Sequence, residues 1–284
     1  MFFILVISNK MGLLTLRPHA SGFFSCCCLR LFQILMFISE RKQLPLEIDN
    51  RQSFVWYNSD RNTDVFKYLF DTNDDIVVDD KPACVENIFI PSNHCENEVV
   101  ALEYLAGNMQ FMKYGDLRLD EYYNYVAKYF SPTPLIISIK NELVSKYKVD
   151  FTNTCVLFLR GNDKNTECLT PGYELYKSEA NEILLKNPSI QFLIQSDEKE
   201  FVDEMSKAFP NNVVFREEIR VISKDIRRTV DNHGSTPSEN YHFIKSFIAI
   251  VLIMSQCKYV VCNTGNISLW IVLFRKSTQD LIQL

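Results

Sequence analysis

The stretch from Thr154 to Glu167, TCVLFLRGNDKNTE, decides the fold prediction. After Thr154 the chain is continuously apolar as far as Leu159, which is typical of a strand buried on both faces of a parallel sheet. From Arg160 onward the sequence turns at once to charged and polar residues. Ligands bind outside the carboxyl ends of the strands in such sheets, so a charged run in this position predicts a functional loop.

Helices and strands alternate along the rest of the second half. Strands are predicted at 154–159, 190–194, 213–215 and 259–262, and helices at 172–186, 198–209, 236–255 and 267–275. The third helix has a clear start, because Thr236, Pro237 and Glu239 form a capping box with proline at the first helical position. This alternation predicts the α/β class with an open parallel sheet.

The first half opens with a similar but shorter unit. A strand at 13–16, a break at 18–22, a helix at 29–42 and a strand at 44–49 form a β-loop-α-β pattern. Loops around short strands at 76–78 and 88–90 follow, and then helices at 120–130 and 135–147. The break at Ser131–Pro134 predicts two domains, residues 1–134 and 135–284.

Composition excludes several classes of protein. The chain of 284 residues has 47% hydrophobic residues, which excludes a disordered chain. Its formal net charge of −5 argues against a nucleic-acid partner bound through phosphate neutralisation. With 8 glycines, the sequence contains neither GxGxxG nor the P-loop pattern, so these two nucleotide fingerprints are excluded.

The nine cysteines show no CxxC spacing. Reduced thiols are the favoured interpretation, and they indicate an intracellular, reducing location such as the cytoplasm. A zinc site built from Cys84, His94 and Cys95 is conceivable, but it lacks a fourth ligand at a recognisable spacing. We therefore predict no metal site.

The most apolar segment runs from Phe23 to Ile38, FFSCCCLRLFQILMFI. It is shorter than the ~20 residues that a bilayer span needs, and Arg30 and Gln33 interrupt it. These two residues lie three apart, on one face of a helix whose other faces are apolar. We expect a buried helix packed on a sheet, and membrane association through residues 23–38 is the alternative.

Three polar clusters follow the predicted strands. They are 160–167, 195–198 and 263–266, and the parallel sheet should bring them to one edge. Arg160 and Lys164 suit a diphosphate, and the last cluster stands at a helix N-terminus, which favours anions. Together they predict a pocket for a nucleotide diphosphate. Taken singly, 196–198 could be a helix cap and 263–266 a plain turn.

The same residues carry a resemblance to a known family. Residues 158–167, FLRGNDKNTE, resemble the H-x-R-R-x-D-K…E segment of α1,6-fucosyltransferases and, more loosely, the H-x-R-R-G-D-Y of α1,2-fucosyltransferases. Ser196–Glu198 stands where those families have S/T-D-D, and 254–266 is similar to their closing helix, strand and turn. Ser21–Phe24, before a helix, is similar to the acceptor-side opening of GT-B fucosyltransferases.

The resemblance implies a GT-B enzyme with two Rossmann-like parallel-sheet domains facing a cleft. Residues 1–134 would form the acceptor side, and residues 135–284 would bind the nucleotide sugar. The implied reaction transfers fucose from GDP-fucose to a glycan or glycoprotein acceptor with inversion. It implies no metal and no cofactor besides the donor substrate.

The resemblance also implies roles for individual residues. Arg160 would hold the β-phosphate, Glu167 would act as a base or positioning group, and Asp197 would lie near the donor. The implied donor-binding residues are Arg160, Asp163, Lys164, Tyr176, Asn263, Thr264 and Asn266, with Tyr173 as the alternative to Tyr176. Ser21, Gly22 and Phe23 would lie on the acceptor side.

Four positions depart from the family pattern. Phe158 replaces a histidine, Gly161 replaces the second arginine, and Ile250 stands where the long helix has an acid. The second acid after the middle strand is Glu198 rather than aspartate. These departures leave two alternatives open: a glycosyltransferase that uses another nucleotide sugar, and a non-catalytic binding protein of the same fold.

Overall fold

The computed structural model describes residues 12–16, 19–60, 62–82, 109–226, 228 and 234–284. Along the chain these residues form β1 (Leu13–Thr15), α1 (Phe23–Arg41), β2 (Glu47–Asp49), β3 (Phe70–Asp71), α2 (Asp120–Tyr129), β4 (Ser131–Pro132), α3 (Pro134–Tyr147), β5 (Thr154–Leu159), α4 (Tyr173–Lys186), β6 (Gln191–Ser196), α5 (Lys199–Ala208), β7 (Asn212–Val213), α6 (Pro237–Gln256), β8 (Tyr259–Cys262), α7 (Asn266–Arg275) and β9 (Leu281–Gln283).

The second half forms a five-stranded sheet in the order β7-β6-β5-β8-β9, with every neighbouring pair parallel. The predicted open parallel sheet is therefore confirmed. The chain leaves the central strand β5 toward β6 and β7, and then returns along α6 to β8 on the other side. The order of the sheet thus reverses between β5 and β8, which is where α/β folds bind ligands. Strand β9 was not predicted.

The first half contains the predicted β-loop-α-β unit, since β1 and β2 pair in parallel and α1 connects them. The predicted start of α1 at Leu29 is wrong, because the helix begins at Phe23 and buries most of this apolar first part. The predicted strand at 76–78 is also wrong: this segment is a bend and irregular chain after a turn at the exposed Asp74 and Asp75. The predicted strand at 88–90, and Cys84, His94 and Cys95, lie outside the described residues.

Helix α1 is long and apolar enough to cross a membrane, but 78% of its most apolar window is buried inside the protein. Arg30 shows how the polar residues of this helix are accommodated. Its guanidinium lies 4.0 Å from the ring of Phe66 and donates to Asn50 Oδ1 at 2.8 Å and to the Tyr129 carbonyl at 3.0 Å. Helix α1 is thus part of the core, and the prediction of a buried helix is confirmed.

A hydrophobic core runs through both halves. Helix α7 of the second half packs against α1 and α2 of the first and against α6 of its own. Trp270 marks the contact, because its indole N–H donates to the Phe24 carbonyl at 3.1 Å and its ring lies 4.6 Å from that of Phe130. The cysteines of the described residues are free thiols. The two halves therefore meet along α7, next to the carboxyl ends of β5 and β8.

Candidate functional site

A cavity of about 150 Å³ lies between the two halves, at the carboxyl end of β5 and the N-terminus of α7. Its lining residues are Ser21, Gly22, Phe23, Phe24 and Ser25 at the start of α1, Gln110, then Arg160, Asp163, Lys164 and Glu167 after β5, Ile244 and Phe247 of α6, and Asn266 and Ile267 of α7. Residues predicted for the donor side and for the acceptor side thus share one cavity.

Arg160 follows β5 directly and enters the cavity between two acids. Its guanidinium forms ion pairs with Asp163 and with Asp197. Asp197 also accepts a hydrogen bond from the Gly161 N–H at 2.9 Å. Asp197 therefore holds both the side chain of Arg160 and the backbone next to it, while Asp163 lies on the cavity side.

Asn263 connects the ends of β5 and β8. Its Oδ1 accepts the Arg160 N–H at 2.9 Å, and its Nδ2 donates to the Arg160 carbonyl at 2.8 Å. The residue is fully buried and lies outside the cavity lining. The two strands are neighbours in register, so a short amide side chain on one reaches the backbone of the other. Asn263 thereby positions Arg160.

Two further residues of the predicted donor-binding set also lie outside the cavity lining. Tyr176 is fully buried, and its hydroxyl donates to the Phe158 carbonyl at 2.9 Å. Burial raises the pKa of Tyr176 well above its ordinary value. The hydroxyl of Thr264 lies 3.8 Å from the Cys168 sulfur. Tyr176 thus fixes the end of β5, behind the wall of the cavity.

Two of the departures from the family pattern are coupled. The Glu198 carboxylate accepts hydrogen bonds from the Asn162 N–H at 2.9 Å and from the Tyr173 hydroxyl at 2.6 Å. A Cβ atom at Gly161 would lie 2.1 Å from the Glu198 carboxyl carbon. Glu198 therefore occupies the space that a side chain at position 161 would need. Burial and this neighbouring carboxylate raise the pKa of Tyr173.

Lys164 is the second cation of the cavity. Its ammonium forms an ion pair with Glu167, donates to Gln110 Oε1 at 2.7 Å and lies 4.9 Å from the centre of the Phe111 ring. Sequence reasoning missed Gln110, because this residue belongs to the first half and carries no motif. Only the folding of the first half onto the β5 loop brings it to Lys164.

The start of α7 forms another wall of the cavity. Asn266 and Ile267 line it, so the first-turn N–H groups, which have no partner within the helix, and the positive end of the helix dipole lie beside this space. The Asn266 side-chain oxygen accepts a hydrogen bond from the Cys28 thiol at 3.4 Å, and burial raises the pKa of Cys28 to about 12. This wall is suited to an anion.

Two further spaces flank the β5 loop. A cavity of about 40 Å³ shares Arg160, Phe247 and Ile267 with the first and is also lined by Phe158, Gln195, Ser196, Asp197, Arg220 and Phe243. An open groove of about 590 Å³ lies along Asn165, Thr170, Tyr173, Glu198 and Lys224. Sequence reasoning also missed Arg220, which donates to Asn240 Oδ1 at 2.6 Å. Within the described residues, no group of three or more His, Cys, Asp and Glu side chains could hold a metal ion.

Comparisons with known proteins identify the fold. No protein-family model matches the chain, and no curated protein is similar to it in sequence. The structure of the fucosyltransferase NodZ from Bradyrhizobium is similar over 93% of each chain, with a TM-score of 0.52 and 12% identity. NodZ α1,6-fucosyltransferase soaked with GDP-fucose gives a TM-score of 0.54 over 93% of each chain, again with 12% identity. NodZ co-crystallised with GDP gives 0.52 over 93% of this chain and 92% of that chain, with 12% identity.

The chain therefore has the GT-B fold of fucosyltransferases, as the sequence resemblance led us to expect.

Proposed function

We propose that this protein is a soluble cytoplasmic glycosyltransferase that transfers fucose from GDP-fucose to a glycan or glycoprotein acceptor, with inversion and without a metal. One observation carries the proposal. Arg160, Lys164 and the N-terminus of α7 surround one cavity at the point where the order of the sheet reverses. Two cations and a helix N-terminus complement the charge of a diphosphate.

The diphosphate of the donor would bind against Arg160 and the start of α7. Phosphate oxygens would replace the Asp163 carboxylate as partners of the Arg160 guanidinium, while Asp197 keeps the guanidinium oriented from behind. Negative charge grows on the β-phosphate as the bond to the sugar breaks. A preoriented guanidinium in a largely buried site stabilises that charge.

The acceptor would enter along Ser21–Ser25, on the opposite wall. Its hydroxyl oxygen attacks the anomeric carbon from the face opposite the diphosphate, which inverts the configuration. The bond from this carbon to the β-phosphate oxygen breaks, and GDP leaves with the electron pair. Glu167 lines the cavity, and its side chain is 43% exposed, so it is our candidate for the base that takes the proton.

The cavity is small for the whole donor. Its volume of about 150 Å³ is below the ~300–1,000 Å³ of typical small-molecule sites. In the present conformation it accommodates a part of a nucleotide sugar. The adjoining cavity beyond Arg160 and Phe247 offers a place for more of the ligand.

A different donor is the second candidate, and the environment of Gly161 favours it. Glu198 leaves no room for a second arginine at position 161, and the buried ring of Phe158 lines the adjoining cavity in place of a histidine. Both differences alter the surroundings of the nucleotide, and the diphosphate-binding groups Arg160 and Lys164 are unaffected by them. A UDP-sugar or another GDP-sugar is then the substrate.

A non-catalytic binding protein is the third candidate, and the charge balance of the site favours it. Arg160 and Lys164 share the end of the sheet with Asp163, Glu167, Asp197 and Glu198, and the formal net charge of this set is −2. Each cation already has a carboxylate partner. A ligand that competes with these pairs binds more weakly than one that meets free cations.

A ligand screen separates the three candidates. Thermal unfolding of the purified protein is measured without metal in the presence of GDP, UDP, GDP-fucose, GDP-mannose or UDP-GlcNAc. A ligand at 100 times its dissociation constant stabilises the protein by ~2.7 kcal/mol. Stabilisation by GDP and GDP-fucose alone supports the first candidate, and a response to a UDP-sugar or to GDP-mannose supports the second. Binding without transfer to any offered acceptor, or no response at all, favours the third.

A further inference from the structure

The segment that contains Gln110 is hydrogen-bonded to the backbone of Gly265, directly before α7. The Gly265 N–H is shared between the Gln110 carbonyl at 3.1 Å and the Tyr114 hydroxyl at 3.0 Å, and this hydroxyl donates to the Gly265 carbonyl at 3.0 Å. On the other side, Gln283 of β9 accepts the Tyr114 N–H at 2.8 Å and donates to the Met112 carbonyl at 2.9 Å. The backbone position of Gln110 relative to α7 is therefore set from both sides.

The side chain of Gln110 points into the cavity and meets Lys164 there. Lysine ammonium groups donate hydrogen bonds and accept none, so the amide atom at 2.7 Å from Lys164 Nζ is the oxygen. This contact fixes the orientation of the amide and turns its NH2 group away from Lys164. Within the described residues, the amide nitrogen has no hydrogen-bond acceptor, although Gln110 is 93% buried (7% exposed).

An NH2 group without an acceptor among the described residues, on a largely buried side chain that lines an anion-binding cavity, indicates a ligand contact. We infer that Gln110 is a substrate-contacting residue: it donates a hydrogen bond to a diphosphate oxygen of the donor, while its own oxygen holds Lys164 in place. The first half of the chain thus contributes directly to donor binding. This inference rests on the proposed function, because it names a further residue of the same site.

Two variants distinguish a hydrogen bond from the Gln110 amide to the ligand from a role that only supports Lys164. Gln110→Glu keeps an oxygen acceptor for Lys164 but removes both N–H donors and adds a negative charge. Gln110→Met has a similar length, stays neutral and removes the donors together with the amide oxygen. Gln283→Ala is the matched control, because it removes an anchor of the same segment without touching the cavity.

Isothermal calorimetry with inorganic pyrophosphate, GDP and UDP provides the readout, after thermal unfolding has shown which variants fold. We expect both Gln110 variants to bind pyrophosphate and the nucleotide about 10- to 100-fold more weakly, as for the loss of a hydrogen bond to a charged group. Gln283→Ala should stay within about two-fold of the wild type, because it makes no ligand contact and the hydrogen bonds of Gly265 to Gln110 and Tyr114 still hold the segment. If one of the Gln110 variants does not fold, the other still decides.

Each alternative role of Gln110 predicts a different set of affinities for the two variants. If only Gln110→Met loses affinity, Gln110 merely supports Lys164. If only Gln110→Glu loses affinity, the added negative charge is the cause. Either result overturns the inference, and so does wild-type affinity in both variants. Binding of pyrophosphate but of no nucleotide, with the expected loss in both variants, supports the inference and contradicts the proposed donor. A wild-type protein that binds none of the three ligands contradicts both.

Discussion

Arg30 and Arg160 are both largely buried arginines, but their surroundings differ in kind. Arg30 lies inside the first half, against an aromatic ring, and its hydrogen-bond acceptors are neutral oxygens. Arg160 lies on a cavity wall, between the carboxylates of Asp163 and Asp197. Burial lowers the pKa of Arg30.

This difference separates a structural from a functional cation. Neutral acceptors inside a packed core cannot be exchanged for a ligand, so Arg30 serves to satisfy polar groups and to fill space. A carboxylate at a cavity wall can give way to another anion of similar geometry, such as a phosphate. The partners of an arginine, more than its burial, therefore indicate whether it can act on a substrate.

The largest effect is expected at Arg160. Arg160→Ala should lower the rate of transfer by about 100- to 1,000-fold, as for the loss of a group that stabilises charge in the transition state, while the protein remains folded. Arg118→Ala is the matched control, because Arg118 also pairs with an acid three residues on but is exposed and outside the cavity. Normal turnover in Arg160→Ala would contradict the role of this residue.

Arg30→Ala should show the opposite pattern. It leaves the oxygens of Asn50 and Tyr129 buried without their donor and opens a cavity in the core, so we expect the free energy of unfolding to fall by about 2–4 kcal/mol. Urea denaturation measures this loss. Arg51→Ala, at an exposed ion pair nearby, should leave stability unchanged. If Arg30→Ala impaired only ligand binding, the distinction between the two arginines would be lost.

Gly161→Ala tests the crowding beside Arg160. The new methyl group would collide with Glu198, so we expect a loss of about 1–3 kcal/mol in stability, as for other overpacked sites. The double variant Gly161→Ala with Glu198→Ala should be more stable than the sum of the two single effects. A double-mutant cycle by denaturation measures this coupling, and simple additivity would show that the two positions do not interact.

The smallest effect is expected from Asn263→Asp. The carboxylate keeps an acceptor for the Arg160 N–H but no longer donates to the Arg160 carbonyl. We expect transfer to fall by about 10-fold, in keeping with one buried hydrogen bond of ~1–2 kcal/mol, with both KM for the donor and kcat affected. Tyr176→Phe, which removes one hydrogen bond to the neighbouring Phe158, is the matched control for a purely structural loss. Equal kinetics in both variants would argue against a positioning role for Asn263.

Much of the second half could be predicted from the sequence because its signals are local. The strand at Thr154–Leu159 is a continuous apolar run, and the structure confirms it to the residue. The capping box at Thr236 is a spacing of a few residues, and both of its hydrogen bonds are present. Strand β9 was missed because its three partly buried residues are too few to form a period.

The candidate site was predictable in part. Parallel strands in register bring the residues that follow them to one edge, so the sequence alone determined that Arg160, Asp197 and Asn263 would lie together at the end of the sheet. It also determined that the first half would contain a β-loop-α-β unit with a buried helix, because apolar periodicity is encoded within single elements.

Only the tertiary structure decided which of these side chains face the cavity. Asn263 and Tyr176 turn to the backbone at the end of β5, whereas Gln110 reaches Lys164 from the other half of the chain. Glu198 likewise occupies the space beside position 161, and these two residues are 37 positions apart in sequence. Hydrogen-bond partners and free volume depend on how separate elements pack together, and no local pattern encodes that packing.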